Sequence, residues 1–231
     1  MTATKPEAET FKKIEAEYDG IFKTEGIRDE DRAYAWHARN ILKQAPQNPA
    51  VLDIACGAGY FLRELNRLSH SKSRLTGLDI SSEALRLAQQ ECPQASYKKG
   101  VAEALPFEDG IFDAITCLGS LEHFVDIPGA IAEMKRVSKQ SAAYYILVPN
   151  LFWYRDIFSV VRTGGRVSRN QTHERFLSLG EWKQILNDAG LEIKKNVKYN
   201  GIAKSPLKQA VKDIVIPLRF SYHFVFICGR K

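Results

Sequence analysis

One short stretch gathers residue types suited to holding a charged ligand: Asp53-Ile54-Ala55-Cys56-Gly57-Ala58-Gly59-Tyr60. Small residues let a backbone turn sharply and come close to a bound molecule. Two classes of nucleotide cofactor use such a turn. A dinucleotide site asks for Gly-x-Gly-x-x-Gly and sets a pyrophosphate on the following helix N-terminus. Here the third glycine position holds Leu62. Asp53, where the strand ends, would repel a pyrophosphate and suits an ammonium or sulfonium group instead. Asp79 ends Gly77-Leu78-Asp79-Ile80, about twenty residues past the turn, where an acid accepts hydrogen bonds from a ribose diol. An acid there serves either cofactor class, and capping of the next helix is its structural alternative. Asp53, Gly57, Gly59 and Asp79 together favour a cationic nucleoside over a dinucleotide.

Such a turn needs a strand before it and a helix after it, and the chain supplies both repeatedly. Phe11, Ile14, Tyr18 and Ile21 recur at helical spacing, as do Ala33, Trp36, Asn40 and Ile41, before Pro46 and Pro49 close the pattern. Strands are then expected at 51–54, 75–80, 95–99, 112–118 and 143–148. Helices are expected at 60–68, from Ser81 or Ser82 to about 92, and from an Asp126 N-cap with Pro128 to about 137. This alternation implies right-handed βαβ crossovers and a parallel sheet. After Pro149 an amphipathic helix is expected over 151–161 and a loop over 162–172. Ser178-Leu179-Gly180-Glu181 reads as a capping box opening a helix that stops at Gly190. Two last strands, 191–199 and 222–228, suit an antiparallel hairpin at the sheet edge. The expected fold is α/β: a Rossmann-like, doubly wound, mostly parallel seven-stranded sheet with that hairpin. A helical cap over 1–48 precedes the body at 49–231, which has a lid insertion around 150–177 and a basic insertion around 200–220.

The chain has 231 residues, enough for a core without disulfides or metal staples. No run approaches the ~18 apolar residues of a membrane span, and residues 1–17 lack the apolar core of a signal peptide. A cytoplasmic location is expected. Cys56, Cys92, Cys117 and Cys228 show no metal-ligand spacing, so they read as small buried hydrophobes and no metal site is expected. The net charge of +6 permits contact with nucleic acid, anionic lipid or an acidic substrate and demands none. Its excess lies largely in 155–169 and 194–219.

At Asp53-Ile54-Ala55-Cys56-Gly57-Ala58-Gly59 the sequence resembles the first motif of class I S-adenosylmethionine-dependent methyltransferases, with Ala55 replacing the first glycine. Gly77-Leu78-Asp79 resembles the second motif. Residues 100–107 resemble the third-strand segment, and Phe112-Asp113 through Leu121-Glu122-His123 the fourth strand and its loop. The four segments stand in order across roughly residues 50–150, most like the small-molecule, methyltransferase-11-like members. The resemblance implies S-adenosylmethionine as cofactor and S-adenosylhomocysteine as product. It implies that Asp53 and the backbone of Ala55, Gly57 and Gly59 hold the methionine end. Asp79 would bind the ribose hydroxyls, Ile80 would pack on the adenine, and Ala102, with Glu103, would meet the adenine edge. Leu118 would line the other adenine face. Val101 stands where the family often has an Asp that bonds the adenine amino group; either Glu103 substitutes or that contact is absent.

Methyl transfer from a sulfonium mainly requires alignment and exclusion of water. An acceptor hydroxyl also needs a base. The candidates are His123, just past the fourth strand, and His173, beside the expected lid. Glu-His turns like Glu122-His123 occur in the family with varied acceptors, so loop anchoring competes with catalysis at His123. His37, beside Trp36, reads as pocket closure or helix packing, and His223 as structural. The Asn/Asp-Pro-Pro-aromatic motif of base-amino methyltransferases is replaced by Gly119-Ser120-Leu121-Glu122. The paired-glutamate loop of arginine methyltransferases and any appended RNA-binding module are also missing. The expected acceptor is therefore a small molecule, sugar or lipid-linked compound, with no nucleic-acid partner. A non-catalytic binding or regulatory subunit is the alternative; an RNA or protein methyltransferase ranks below it. Phe152, Trp153, Tyr154 and Phe158 interleave with Arg155, Arg162 and Arg166. This allows a peripheral bilayer contact, or a pocket cover with inward aromatics, which is placed ahead.

Overall fold

The computed structural model describes residues 5–24, 31–70, 72–164, 174–203 and 205–231; His173 and Arg166 lie outside them. The chain opens with α1 (Lys5–Thr24) and α2 (Asp31–Leu42). Then come β1 (Ala50–Ile54), α3 (Tyr60–Leu68), β2 (Arg74–Asp79), α4 (Ser82–Glu91), β3 (Ser96–Lys99) and β4 (Phe112–Leu118). After a short turn of 3-10 helix at Leu121–His123 come α5 (Ile127–Val137), β5 (Ser138–Pro149) and α6 (Tyr154–Thr163). The chain closes with α7 (Leu179–Asp188), β6 (Leu191–Tyr199), α8 (Pro206–Val215) and β7 (His223–Arg230).

All five residues of β1 are buried, as expected of a central strand covered on both faces. The sheet runs β3-β2-β1-β4-β5-β7-β6, with β7 antiparallel to both neighbours and the other pairs parallel. Strand alternation splits the core in two. Leu52, Ile54, Ile115, Cys117, Tyr144 and Ile146 face α5 and α7. Val51, Ala114, Tyr145, Leu147 and Val225 face α2 and α3. The four cysteines are free and buried.

Local capping chemistry sets several boundaries as expected. Ser81 accepts from the Ala84 N–H at 3.0 Å and Asp126 from the Gly129 N–H at 3.0 Å. Ser178 and Glu181 form the reciprocal capping box. Other boundaries differ. The strand expected at 143–148 begins at Ser138, because the register slips between Phe112 and Ala114 and the extra polar residues form an irregular, partly exposed start. The helix expected at 151–161 starts at Tyr154. Asn150 accepts from the Phe152 N–H at 2.9 Å and donates to the Ser221 carbonyl at 2.7 Å, holding a non-helical turn. Of the aromatics expected to turn inward, Phe152, Tyr154 and Phe158 do not, Phe158 being 66% exposed, while Trp153 is half-buried against Tyr222; no residue of α6 is buried. Within the basic insertion the chain forms α8, an element that the charge pattern alone did not reveal.

Register also fixes where the site lies. Ile54 pairs with Leu78 and Cys117, and Leu118 with Leu147, so the loops after β1, β2 and β4 leave the sheet on one edge. The helix α1 crosses that edge. Asp19 accepts from the Ser81 hydroxyl and from the Glu83 N–H at 3.1 Å, and Glu15 pairs with Lys99.

Candidate active site

The turn after β1 is held in the left-handed region at three residues: Ala55 (φ 56°), Gly57 (φ 53°) and Gly59 (φ 78°). A side chain at Gly59 would also meet the Ala88 backbone at 3.0 Å. Ala55 adopts this conformation where the family carries glycine; its single methyl group is the smallest side chain that can do so. The turn is tied to β2, because the Cys56 N–H donates to the Leu78 carbonyl at 3.0 Å.

Asp79 braces the same turn. Its carboxylate accepts from the Gly57 N–H at 2.8 Å and the Ser81 N–H at 2.9 Å. Burial raises its pKa above the usual carboxylate value, and these N–H groups oppose the rise. Each carboxylate oxygen accepts more than one hydrogen bond, so bracing the turn leaves room for a ligand hydroxyl. Asp53 is buried too and accepts from the Thr116 hydroxyl at 2.6 Å. Burial pushes it up to about 7; the Thr116 bond opposes the rise and nearby Asp79 adds to it. A buried acid beside a second acid is well matched to a cationic group.

Two cavities meet at this turn, sharing Phe22, Ala55 and Gly57 as walls. The smaller, about 130 Å³, contains Asp53, Tyr60 and Leu118. The larger, about 180 Å³, contains Asp79, Ile80, Ala102, Glu103 and His123. Its roof is one stripe of α1: Phe11, Ile14, Tyr18 and Phe22. Leu118 thus falls on the Asp53 side rather than beside Ile80, because alternation along β4 turns it to the α3 face with Thr116. Glu103 lines the larger cavity, but its Oε1 accepts from the Val125 N–H at 2.9 Å and the Asp126 N–H at 3.3 Å. That oxygen anchors the loop after β4.

The same loop carries Glu122 and His123. One ligand atom from each of Glu122, His123 and Glu174 lies within 4.8 Å of the other two. Among the described residues this is the single His/Cys/Asp/Glu grouping compact enough to meet a cation, and it is equally close enough to share protons. Local pattern does not reveal the grouping, since Glu174 arrives from a segment distant in sequence. Glu122 is buried, Oε2 has no hydrogen-bond partner, and burial pushes the acid up to about 8. His123 Nε2 lies 3.9 Å from Glu122 Oε1, and its ring meets Tyr18 edge-on. Arg175 secures the loop: its N–H donates to the Glu122 carbonyl at 3.2 Å and its guanidinium to the Phe124 carbonyl. Tyr18, Phe22, Glu122 and Arg175 were not singled out as site residues from sequence. Tyr18 carried a signal in the helical spacing of α1; Phe22 did not, since the spacing read there ran through Ile21.

His37 lines neither cavity. Its Nδ1 pairs with the Tyr145 hydroxyl at 3.0 Å, and burial pushes it down to about 3. His223, half-buried at the start of β7, is pushed down to about 4 by desolvation of its ring. Both pack in the aromatic layer with Tyr199.

Residues 52–146 match the family model described as a methyltransferase domain. The matched stretch runs from β1 into β5, the strands whose loops line both cavities. The chain is similar to the demethylmenaquinone methyltransferase of Chlorobaculum tepidum, 29% identical over 106 residues, 46% of this chain and 43% of that one. It is 37% identical over 97 residues to the 2-phytyl-1,4-naphtoquinone methyltransferase of Thermosynechococcus vestitus, 41% of this chain and 43% of that one. These alignments span less than half the length of either relative. Among solved structures, the complex of the Haloferax volcanii Trm112 methyltransferase activator with a putative methyltransferase matches with a TM-score of 0.68 at 22% identity, covering 93% and 97% of the two chains. An Aquifex aeolicus SAM-dependent methyltransferase matches with a TM-score of 0.63 at 18% identity, covering 96% and 98%. These structural likenesses establish the methyltransferase fold.

Proposed function

We propose that the protein is an S-adenosylmethionine-dependent methyltransferase acting on a small, largely apolar acceptor, of the hydroxylated-ring or quinol class. One arrangement carries this reading: two cavities joined at the Ala55–Gly57 turn, with Asp53 in the smaller and His123, itself beside buried Glu122, at the larger. The buried acid Asp53 fits the cationic methionine end of the cofactor. Asp79 fits the ribose hydroxyls, and Ile80 and Ala102 offer apolar surface to the adenine. When bound, S-adenosylmethionine supplies a methyl group already activated on a sulfonium. The chain's task is then to align the acceptor, exclude water and take up a proton. Tyr18 and Phe22 cover the turn. In this reading the His123 imidazole, backed by Glu122, takes up the acceptor's proton. His173 keeps its candidacy as a second base from sequence alone. The names of the quinone-methylating relatives support an apolar ring acceptor over a sugar.

Two measurements test the reading. Asp79→Ala should weaken S-adenosylhomocysteine binding by about 1.5–3 kcal/mol, the worth of hydrogen bonds to a charged group. Calorimetry giving unchanged affinity would mean that the site lies elsewhere. Incubation with methyl-labelled cofactor and a panel of quinols, phenols and glycosides should label ring acceptors first. Cofactor binding without label in any acceptor would instead favour a non-catalytic binding subunit. For an acceptor that is labelled, His123→Ala should lower kcat by about 10²–10⁴ with cofactor affinity retained. Unchanged kcat would remove His123 as the base.

A further inference from the structure

Among the described residues twelve large apolar side chains stand exposed, and ten of them fall in 152–161 and 207–215. They form faces, not scatter. On α6, Tyr154, Ile157, Phe158 and Val161 follow the spacing of one helical side; on α8, Leu207, Val211, Ile214 and Val215 do the same. The exposures reach 80% at Val161 and 82% at Ile214. Water-facing apolar stripes of this extent on a folded protein mark a surface that something else covers.

Topology places both helices at one end of the sheet. β5 ends at Pro149 and β6 at Tyr199, and both residues pair with His223 on β7. The chain enters α6 and α8 from that shared row. β5 runs parallel to β4, so this is also the edge where the cavity lies. Charge identifies the covering surface. Residues 150–164 and 198–219 hold seven Lys and Arg against two Asp, which is five of the six net positive charges of the chain. No described helix is long and apolar enough to cross a membrane, so these helices would lie along a surface. A short helix with an apolar stripe flanked by basic residues binds an anionic lipid interface in that way.

We propose that the apolar faces of α6 and α8 dock the protein onto an anionic lipid bilayer, with the cavity edge of the sheet toward the lipid. A hydrophobic acceptor would then enter from the membrane. The docking claim stands on the two helices alone; the route of the acceptor rests on the functional reading above.

Co-sedimentation of the full chain with phosphatidylcholine vesicles, with and without phosphatidylglycerol, tests the docking. Binding is expected to the mixed vesicles at low salt, weakened by high salt and absent from pure phosphatidylcholine. Phe158→Glu combined with Ile214→Glu should reduce it by about tenfold or more. Those variants should still bind S-adenosylhomocysteine, which reports folding and the cofactor site separately from docking. No sedimentation with anionic vesicles, or sedimentation indifferent to both substitutions, overturns the proposal. So does a concentration-dependent dimer that the same substitutions dissociate, since a second copy would then cover the faces.

Discussion

Asp53 shows how burial shifts the charge of one residue. Its carboxyl is raised from 3.8 to about 7 by burial, against the Thr116 hydrogen bond. The folded protein therefore keeps a proton that the unfolded chain releases between those values. Its contribution to stability is full below 3.8 and falls as pH rises through about 7. A cation in the pocket favours the ionised form, so cofactor affinity should rise as pH climbs through the same value. In Asp53→Asn both dependences should flatten and affinity should fall. Calorimetric titration of S-adenosylhomocysteine across this range checks it; an unchanged pH profile in the variant would assign the titration to another group. The residue types at Asp53 and Asp79 were legible because an acid at a strand end is a local pattern. Glu122 was not, because its burial and its meeting with Glu174 depend on chain segments far apart in sequence.

At the scale of elements, α1 is the least expected participant. Helical spacing made it a helix, but only packing shows that Phe11, Ile14, Tyr18 and Phe22 roof the larger cavity. Phe22 reaches both cavities and would lie 3.4 Å from a side chain at Gly57. Phe22→Ala should therefore speed cofactor release by about tenfold, since a partly buried aromatic contributes on the order of 1–2 kcal/mol. Stopped-flow dissociation of the cofactor product measures this; an unaltered rate would mean that α1 does not close the occupied site. The helices with strong caps, α4, α5 and α7, were legible from Ser81, Asp126 and Ser178. In contrast α8 was hidden: its apolar stripe is interrupted by lysines, and the segment read as charge.

Across the whole molecule, the sheet joins the edge that carries the cavities to the region of α6 and α8. Trp182 on α7 is fully buried and its indole N–H donates to the Pro149 carbonyl at 3.0 Å, fixing the point where β5 gives way to the α6 segment. Trp182→Phe would leave that carbonyl without its donor. The expected loss is about 1–3 kcal/mol, read as a lower urea midpoint. Retained stability would show that another donor replaces the indole.

By itself the sequence determined the strand–helix alternation, the sharp turn after Asp53, the acid at Asp79 and most helix starts. Each depends on residues a few positions apart, where backbone sterics and capping act directly. Tertiary structure decided which side of β4 carries Leu118 and that an oxygen of Glu103 anchors a loop. It also buried Glu122 beside His123, and it left the apolar faces of α6 and α8 in water. These outcomes follow from strand register and from how elements pack across long sequence separations, and local pattern carries no record of either.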